Sequence, residues 1–155
     1  VDLFVSIHVN ANPKNTVYGL ETYYLSEARS KDAAVVAARE NGVSIANISD
    51  LQFILTDLML STKLKESRHL AKCVHNGILN RLKNAKLAAF DNGVRSAPFY
   101  VLMGARMPAI LVEFGYISNE RDCANLRDEA FIQRQAEGVV RGIVQYRSEI
   151  ASLVP

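Results

Sequence analysis

Two groups able to do hydrolytic chemistry stand at the ends of two apolar runs. Leu3-Phe4-Val5-Ser6-Ile7 ends in His8 and is followed by the small polar residues Asn10, Ala11 and Asn12. Ala109-Ile110-Leu111-Val112 ends in Glu113 and passes into Phe114-Gly115-Tyr116-Ile117-Ser118-Asn119. An imidazole near its ordinary pKa binds a transition metal or moves a proton at neutral pH, and a carboxylate beside it serves as ligand or as general base. Burying an unpaired carboxylate costs several kcal/mol, so an acid that ends an apolar strand calls for a partner or a task. In open α/β sheets the C-terminal rim of the strands is where ligands collect. His8 and Glu113 are therefore the candidate active-site pair.

Each has a plainer competing role. A lone histidine at a strand end is commonly a hydrogen-bonded structural residue, and Glu113 has Arg95 and Arg106 available as ion-pair partners. Glu21, inside a strand, either sits near the site or has a structural or solvent-facing role, and the second reading is favoured. His69 and His75 are six residues apart, which on a helix separates them by about 120°; they are expected at the surface and not on one metal. Asn10 and Asn12 either line the site or structure its loop. The chain has no Walker loop, no GxGxxG and no GxSxG, so phosphate cradles, dinucleotides and serine-hydrolase chemistry have no support.

The elements that must position these groups follow from periodicity. Tyr18 to Leu25 reads as a strand with Leu20, Thr22 and Tyr24 on one face and Glu21, Tyr23 and Leu25 on the other. Ser30 to Asn41 reads as a helix that Gly42 ends. From Asp50, the residues Leu51, Ile54, Leu55, Leu58 and Met59 recur at helical spacing, and Leu64 to Lys83 is a further helix burying Leu70, Cys73, Val74, Ile78 and Leu82. Asp91-Asn92-Gly93 signals a turn, Phe99 to Met103 a strand, and Pro108 to Glu113 another strand. Asn119 caps a short helix through Leu126; Asp128 caps the last helix, with Phe131, Ile132, Ala136, Val139, Val140, Ile143 and Ile150 inward. The expected class is α/β: a single domain with a twisted, mostly parallel or mixed sheet and helices on both faces.

The bulk composition narrows the function classes. A length of 155 residues, 49% of them hydrophobic, suits one domain with a real core. Eighteen basic against sixteen acidic residues leave a net charge of +2 without a basic stripe, so no nucleic-acid partner is expected. No apolar run reaches the roughly 18 to 20 residues of a transmembrane segment. Cys73 and Cys123 lack any CxxC spacing, which leaves the redox compartment open. A core strand that starts almost at Val1 suggests a chain whose earlier part is missing.

Four separated motifs then match a known pattern in order: Ser6-Ile7-His8-Val9-Asn10-Ala11, Gly19-Leu20-Glu21-Thr22-Tyr23, Ser67-Arg68-His69-Leu70-Ala71, and Val112-Glu113-Phe114-Gly115-Tyr116-Ile117-Ser118-Asn119. The chain resembles the zinc-dependent N-acetylmuramoyl-L-alanine amidases, cell-wall hydrolases of the amidase type 3 family. That resemblance implies the phosphorylase/hydrolase-like amidase fold and a Zn2+ cofactor held by a histidine, a glutamate and a second histidine. It also implies peptidoglycan as substrate, an activator protein as a partner of some members, and a location in the periplasm or outside the cell.

His8 matches the second metal-binding histidine, and Glu113 matches the glutamate that assists catalysis. The other ligands are expected upstream of Val1, so residues 1–155 are read as the C-terminal major part of one amidase catalytic domain. One imidazole does not make a catalytic zinc site, which ordinarily takes three protein ligands and a water. The 155-residue chain is accordingly expected to bind zinc weakly or not at all and to be inactive alone. The span Gly42 to Lys63 has room for one modest helix, and no inhibitory insertion is expected there. The rival readings are a non-catalytic wall-binding or regulatory module of the same fold and a related zinc peptidase.

Overall fold

A computed structural model describes residues 2–48 and 62–152 of the chain. Its centre is a four-stranded sheet built from β1 (Phe4–Asn10), β2 (Leu20–Leu25), β3 (Asp91–Ala97) and β4 (Ala109–Tyr116), in the order β1-β4-β2-β3. β1 runs parallel to β4, β2 antiparallel to β4, and β3 parallel to β2. β4 is buried along its entire length. Its apolar run without alternation is what a strand covered on both faces requires.

Alternation in β2 sorts the two cores. Leu20 and Tyr24 join Ile110, Val112 and Phe114 beneath two long helices, α2 (Thr62–Asn84) and α4 (Glu129–Ala151). Tyr23 and Leu111 point the other way, into a core with Phe99, Leu102 and helix α1 (Lys31–Asn41). The short helix α3 (Glu120–Arg127) follows β4. Ser30 caps α1 by accepting from the Ala33 N–H, and Gly42 ends it in the left-handed region at φ 66°. Asn119 and Asp128 cap α3 and α4 in the same way as Ser30. Leu70, Cys73, Val74, Ile78 and Leu82 are all buried, as their spacing predicts.

Several expectations are corrected. The Asp91-Asn92-Gly93 signal lies inside β3 and not before it: the Asp91 carboxylate accepts from the Gly93 N–H at 2.8 Å while the backbone still pairs with β2 across an irregular register. Phe99 to Met103 is not a strand. Tyr100–Leu102 forms a 3-10 turn that directs Phe99 and Leu102 inward three residues apart. β4 continues past Glu113 to Tyr116.

On α4, Ala136 and Val140 face solvent, Val140 being 60% exposed. Of the other residues expected inward, Phe131 and Val139 are buried and Ile132, Ile143 and Ile150 pack partly buried against the core, while Gln135, Gly138, Gly142 and Tyr146 complete the buried seam. Gly138 and Gly142 set that face, because a Cβ on Gly142 would lie 2.4 Å from the Val74 Cα. Hydrophobicity alone misplaces a helix whose contact is made by backbone. His75 is buried and not at the surface; its ring bridges Thr22 Oγ1 at 3.0 Å and Asp91 Oδ1 at 2.8 Å, tying α2 to β2 and β3. The helix predicted over Leu51 to Met59 lies outside the described residues.

Candidate active site

Strand register brings the predicted pair together. His8 on β1 is paired with Glu113 on β4, and Glu113 is in turn paired with Glu21 on β2. Directly paired residues project from the same face of a sheet, so the imidazole and both carboxylates share the face covered by α1. The last turn of α1 adds Arg39 and Glu40. Glu40 Oε2 lies 2.8 Å from His8 Nδ1, and Ser6 Oγ lies 2.7 Å from His8 Nε2. His8, Glu40 and Glu113 offer donor atoms that all fall within 4.8 Å of one another.

Glu113 is fully buried, and among the described residues neither of its carboxylate oxygens has a hydrogen-bond partner. Burial pushes its pKa up to about 8, helped by the Glu40 and Glu21 carboxylates and opposed by the Arg39 guanidinium. The arginines proposed as neutralising partners are elsewhere. Arg95 reaches Glu21 at 3.6 Å, and Arg106 lines a separate cavity with Lys63, Leu64 and Gly104.

Glu21 is 2% exposed, which removes the solvent-facing half of its expected structural or solvent-facing role. Its Oε2 accepts from the Tyr23 hydroxyl at 2.8 Å and the Asn10 amide at 3.4 Å. Asn10 is also buried and links the two sides of the site, since its Oδ1 accepts from Arg39 at 3.1 Å. Asn12 structures the loop: its Oδ1 accepts from the Lys14 N–H, and its own N–H donates to Ser118 Oγ.

The turn after Glu113 is held by one buried acid. Asp122 Oδ2 accepts from the Tyr116 N–H at 2.8 Å and the Gly19 N–H at 2.7 Å. Gly115, at φ 150°, lies so close that a Cβ there would be 3.1 Å from that oxygen. The Ile117 N–H donates to the Asn10 carbonyl, and the Asn119 amide to the Asn15 carbonyl. The Gly, Ser and Asn of the Glu113 to Asn119 stretch thus lash the end of β4 to the loop after β1, which fixes Glu113 against His8.

A groove of about 460 Å³ opens beside the site, with Lys14, Glu21, Arg39, Arg95 and Tyr116 among its lining. One imidazole and two carboxylates form a possible metal-binding group, and this nitrogen and oxygen donor set suits a divalent transition metal. The stranded oxygens of Glu113 fit the same reading, because a cation is a partner they lack. Sequence reasoning missed Glu40 and Arg39. The only local signal is a carboxylate in the last turn of a helix, where the dipole disfavours it.

Comparison with known proteins accords with this geometry. The sequence model of the N-acetylmuramoyl-L-alanine amidase family matches residues 1–145. The N-acetylmuramoyl-L-alanine amidase AmiC of Escherichia coli O6:H1 is 32% identical over 162 residues, covering 98% of this chain and 37% of AmiC. The solved catalytic domain of CwlV, an N-acetylmuramoyl-L-alanine amidase from Bacillus (Paenibacillus) polymyxa var. colistinus, is 27% identical with a TM-score of 0.63, covering 96% of this chain and 59% of that one. The CwlD amidase of Clostridioides difficile, solved in complex with the GerS lipoprotein, has the same fold at 23% identity and a TM-score of 0.63, over 96% of this chain and 55% of that one. The chain spans about half or less of the length of the first curated relatives it matches. With a family match over nearly every residue and a mixed sheet that superposes on solved amidases, the chain belongs to the N-acetylmuramoyl-L-alanine amidase family.

Proposed function

We propose that the domain containing these residues hydrolyses the amide between the lactyl group of N-acetylmuramic acid and the L-alanine of the stem peptide in peptidoglycan, with zinc as cofactor. The observation that carries this reading is Glu113, buried, without a partner among the described residues, and on the same rung of the sheet as His8. A carboxylate so placed is costly to keep unless it handles a proton.

His8 and Glu40 are the metal-facing donors of this chain, and Glu113 is the general base. Zinc held by these residues would supply Lewis acidity toward the scissile carbonyl and would lower the pKa of a bound water from about 15.7 to roughly 7. Glu113 accepts the proton of the attacking water and passes it to the departing amine. In the metal-free chain the Arg39 guanidinium opposes the rise in the Glu113 pKa. Lys14, Arg39 and Arg95 along the groove suit a substrate bearing carboxylates, as stem peptides do.

The named activity of relatives such as AmiC supports the chemistry. Its substrate places the protein in the cell envelope, in the periplasm or outside the cell. No helix among the described residues is long and apolar enough to cross a membrane. A protein partner belongs to the same proposal, on the pattern of CwlD with GerS.

The test is digestion of purified peptidoglycan with and without a chelator, followed by product analysis. Chelator-sensitive release of stem peptides with a free L-alanine amine is the expected result. Cuts within the stem peptide would assign the chain to zinc peptidase chemistry instead. Binding to the wall without release would make it a non-catalytic module.

A further inference from the structure

A second cluster of metal-binding side chains lies on the opposite side of the sheet, between α2 and α4. His69 and Cys73 are four residues apart on α2, so they lie on one helix face, one turn from each other. Glu149 comes from the end of α4. Donor atoms of the three all fall within 4.8 Å of one another. His69 Nε2 contacts Glu149 Oε2 directly, and the Cys73 thiol lies 3.6 Å from the same oxygen.

Tyr146 completes the surroundings. Its ring meets that of His69 edge to face, with centroids 5.3 Å apart. Its hydroxyl is buried without a hydrogen-bond partner among the described residues. A histidine and glutamate ion pair would account for two of these groups. With the Cys73 thiol donating to the same carboxylate, it still leaves the stranded Tyr146 hydroxyl unexplained.

We propose that His69, Cys73 and Glu149 form a second metal site, for Zn2+ or a transition metal of similar softness, that ties the end of α4 to α2. One thiolate, one imidazole and one carboxylate are a donor set for zinc, whereas calcium and magnesium require oxygen throughout. Three protein donors leave a fourth position for water in a tetrahedral site. A bound water is the kind of partner that the Tyr146 hydroxyl lacks. On binding, the Cys73 S–H bond breaks as a sulfur–metal bond forms, and the proton leaves to solvent. In the metal-free chain burial and the Glu149 carboxylate push the thiol pKa up to about 11, so that proton is present to be displaced.

The rim site holds no sulfur, which makes the two sites separable. Titration of the 155-residue chain with Co2+ is expected to raise a thiolate-to-cobalt charge-transfer band that Zn2+ abolishes by competition. Cys73→Ser should lose the band, and Cys123→Ser should keep it. Because Cys73 is buried, its replacement also risks the fold; Glu149→Gln, at a half-exposed position, provides the second variant. With folding verified by circular dichroism, it should weaken Co2+ binding at the band by tenfold or more and show a smaller rise in Tm with Zn2+ than the parent chain. No thiolate band in the parent, or a Glu149→Gln variant that binds as tightly as the parent, would overturn the proposal.

Discussion

Glu21 and Glu113 stand directly opposite each other on β2 and β4, yet the donors gather on Glu21 alone. Tyr23, Asn10 and Arg95 all reach Glu21, while both oxygens of Glu113 are left without a partner among the described residues. Like charges directly opposed across a sheet are destabilising. Burial without a partner therefore raises the pKa of Glu113, and the Glu40 and Glu21 carboxylates add to the rise.

The metal-free chain should lose stability as pH rises from about 4.5 to about 8. Glu113 has its folded pKa raised to about 8 above an ordinary 4.5. The folded state then binds more protons than the unfolded state across that window, so stability is fully present below it and falls with increasing pH. The slope from this one group is about 1.4 kcal/mol per pH unit. Urea melts of the metal-free protein at a series of pH values should show the decline, and Glu113→Gln should flatten it. An identical decline in the variant would remove Glu113 as its source.

Glu40→Gln should lower the pKa of Glu113, because the Glu40 carboxylate is the leading charge that raises it. Arg39→Ala should move it in the opposite direction. Carbon-13 NMR titration of the glutamate carboxyls reads both shifts. Glu40→Gln should also weaken metal binding at the rim, since it removes one of the two metal-facing donors of this chain.

In a form that carries the proposed activity, Glu113→Gln should leave zinc binding unchanged and lose about 10²- to 10⁴-fold in rate, the range for a general base. His8→Ala should lose the metal as well as activity. Metal analysis beside the release assay separates the two roles, and an emptied site in Glu113→Gln would make Glu113 a ligand. The same analysis on the 155-residue chain checks whether His8 and Glu40 hold zinc by themselves, as stoichiometric zinc that His8→Ala removes would show.

Gly142→Ala should destabilise the protein even though alanine favours helix by about 1 kcal/mol. The added Cβ meets the Val74 Cα at 2.4 Å, and overpacking of this kind costs about 1–3 kcal/mol or more. Val144→Ala, at a position 61% exposed, should change stability by less than about 0.5 kcal/mol. Thermal melts of the two variants provide the comparison. Equal Tm values would show that the α2–α4 crossing is looser than its geometry implies.

Local signals carried much of the fold. The apolar run Ala109 to Val112 marked the buried strand, Ser30 and Gly42 marked the ends of α1, and Asn119 and Asp128 marked two further helix starts. These depend on chain neighbours, so they are visible without coordinates. The 3-10 turn over Tyr100–Leu102 was misread because a short apolar run has no period to distinguish strand from turn. Only Ala136 and Val140 depart from the inward face expected of α4, because Gly138 and Gly142 make contact through backbone, which hydrophobicity does not register.

For the site, the residue types, their order and the resemblance of their motifs came from the sequence: an imidazole after one apolar run, a carboxylate after another, and the Gly, Ser and Asn that follow. Tertiary structure decided that β1 and β4 pair in the register that sets His8 beside Glu113, and that α1 ends where Glu40 meets His8. It also turned Glu21 inward, seated His75 beneath β2 and closed His69, Cys73 and Glu149 into one cluster. Periodicity says which face of an element is apolar, because that depends on residues a few positions apart. It does not say which polar groups from distant segments share the small volume left when those faces pack, since that is fixed only by the strand register and helix crossings of the folded chain.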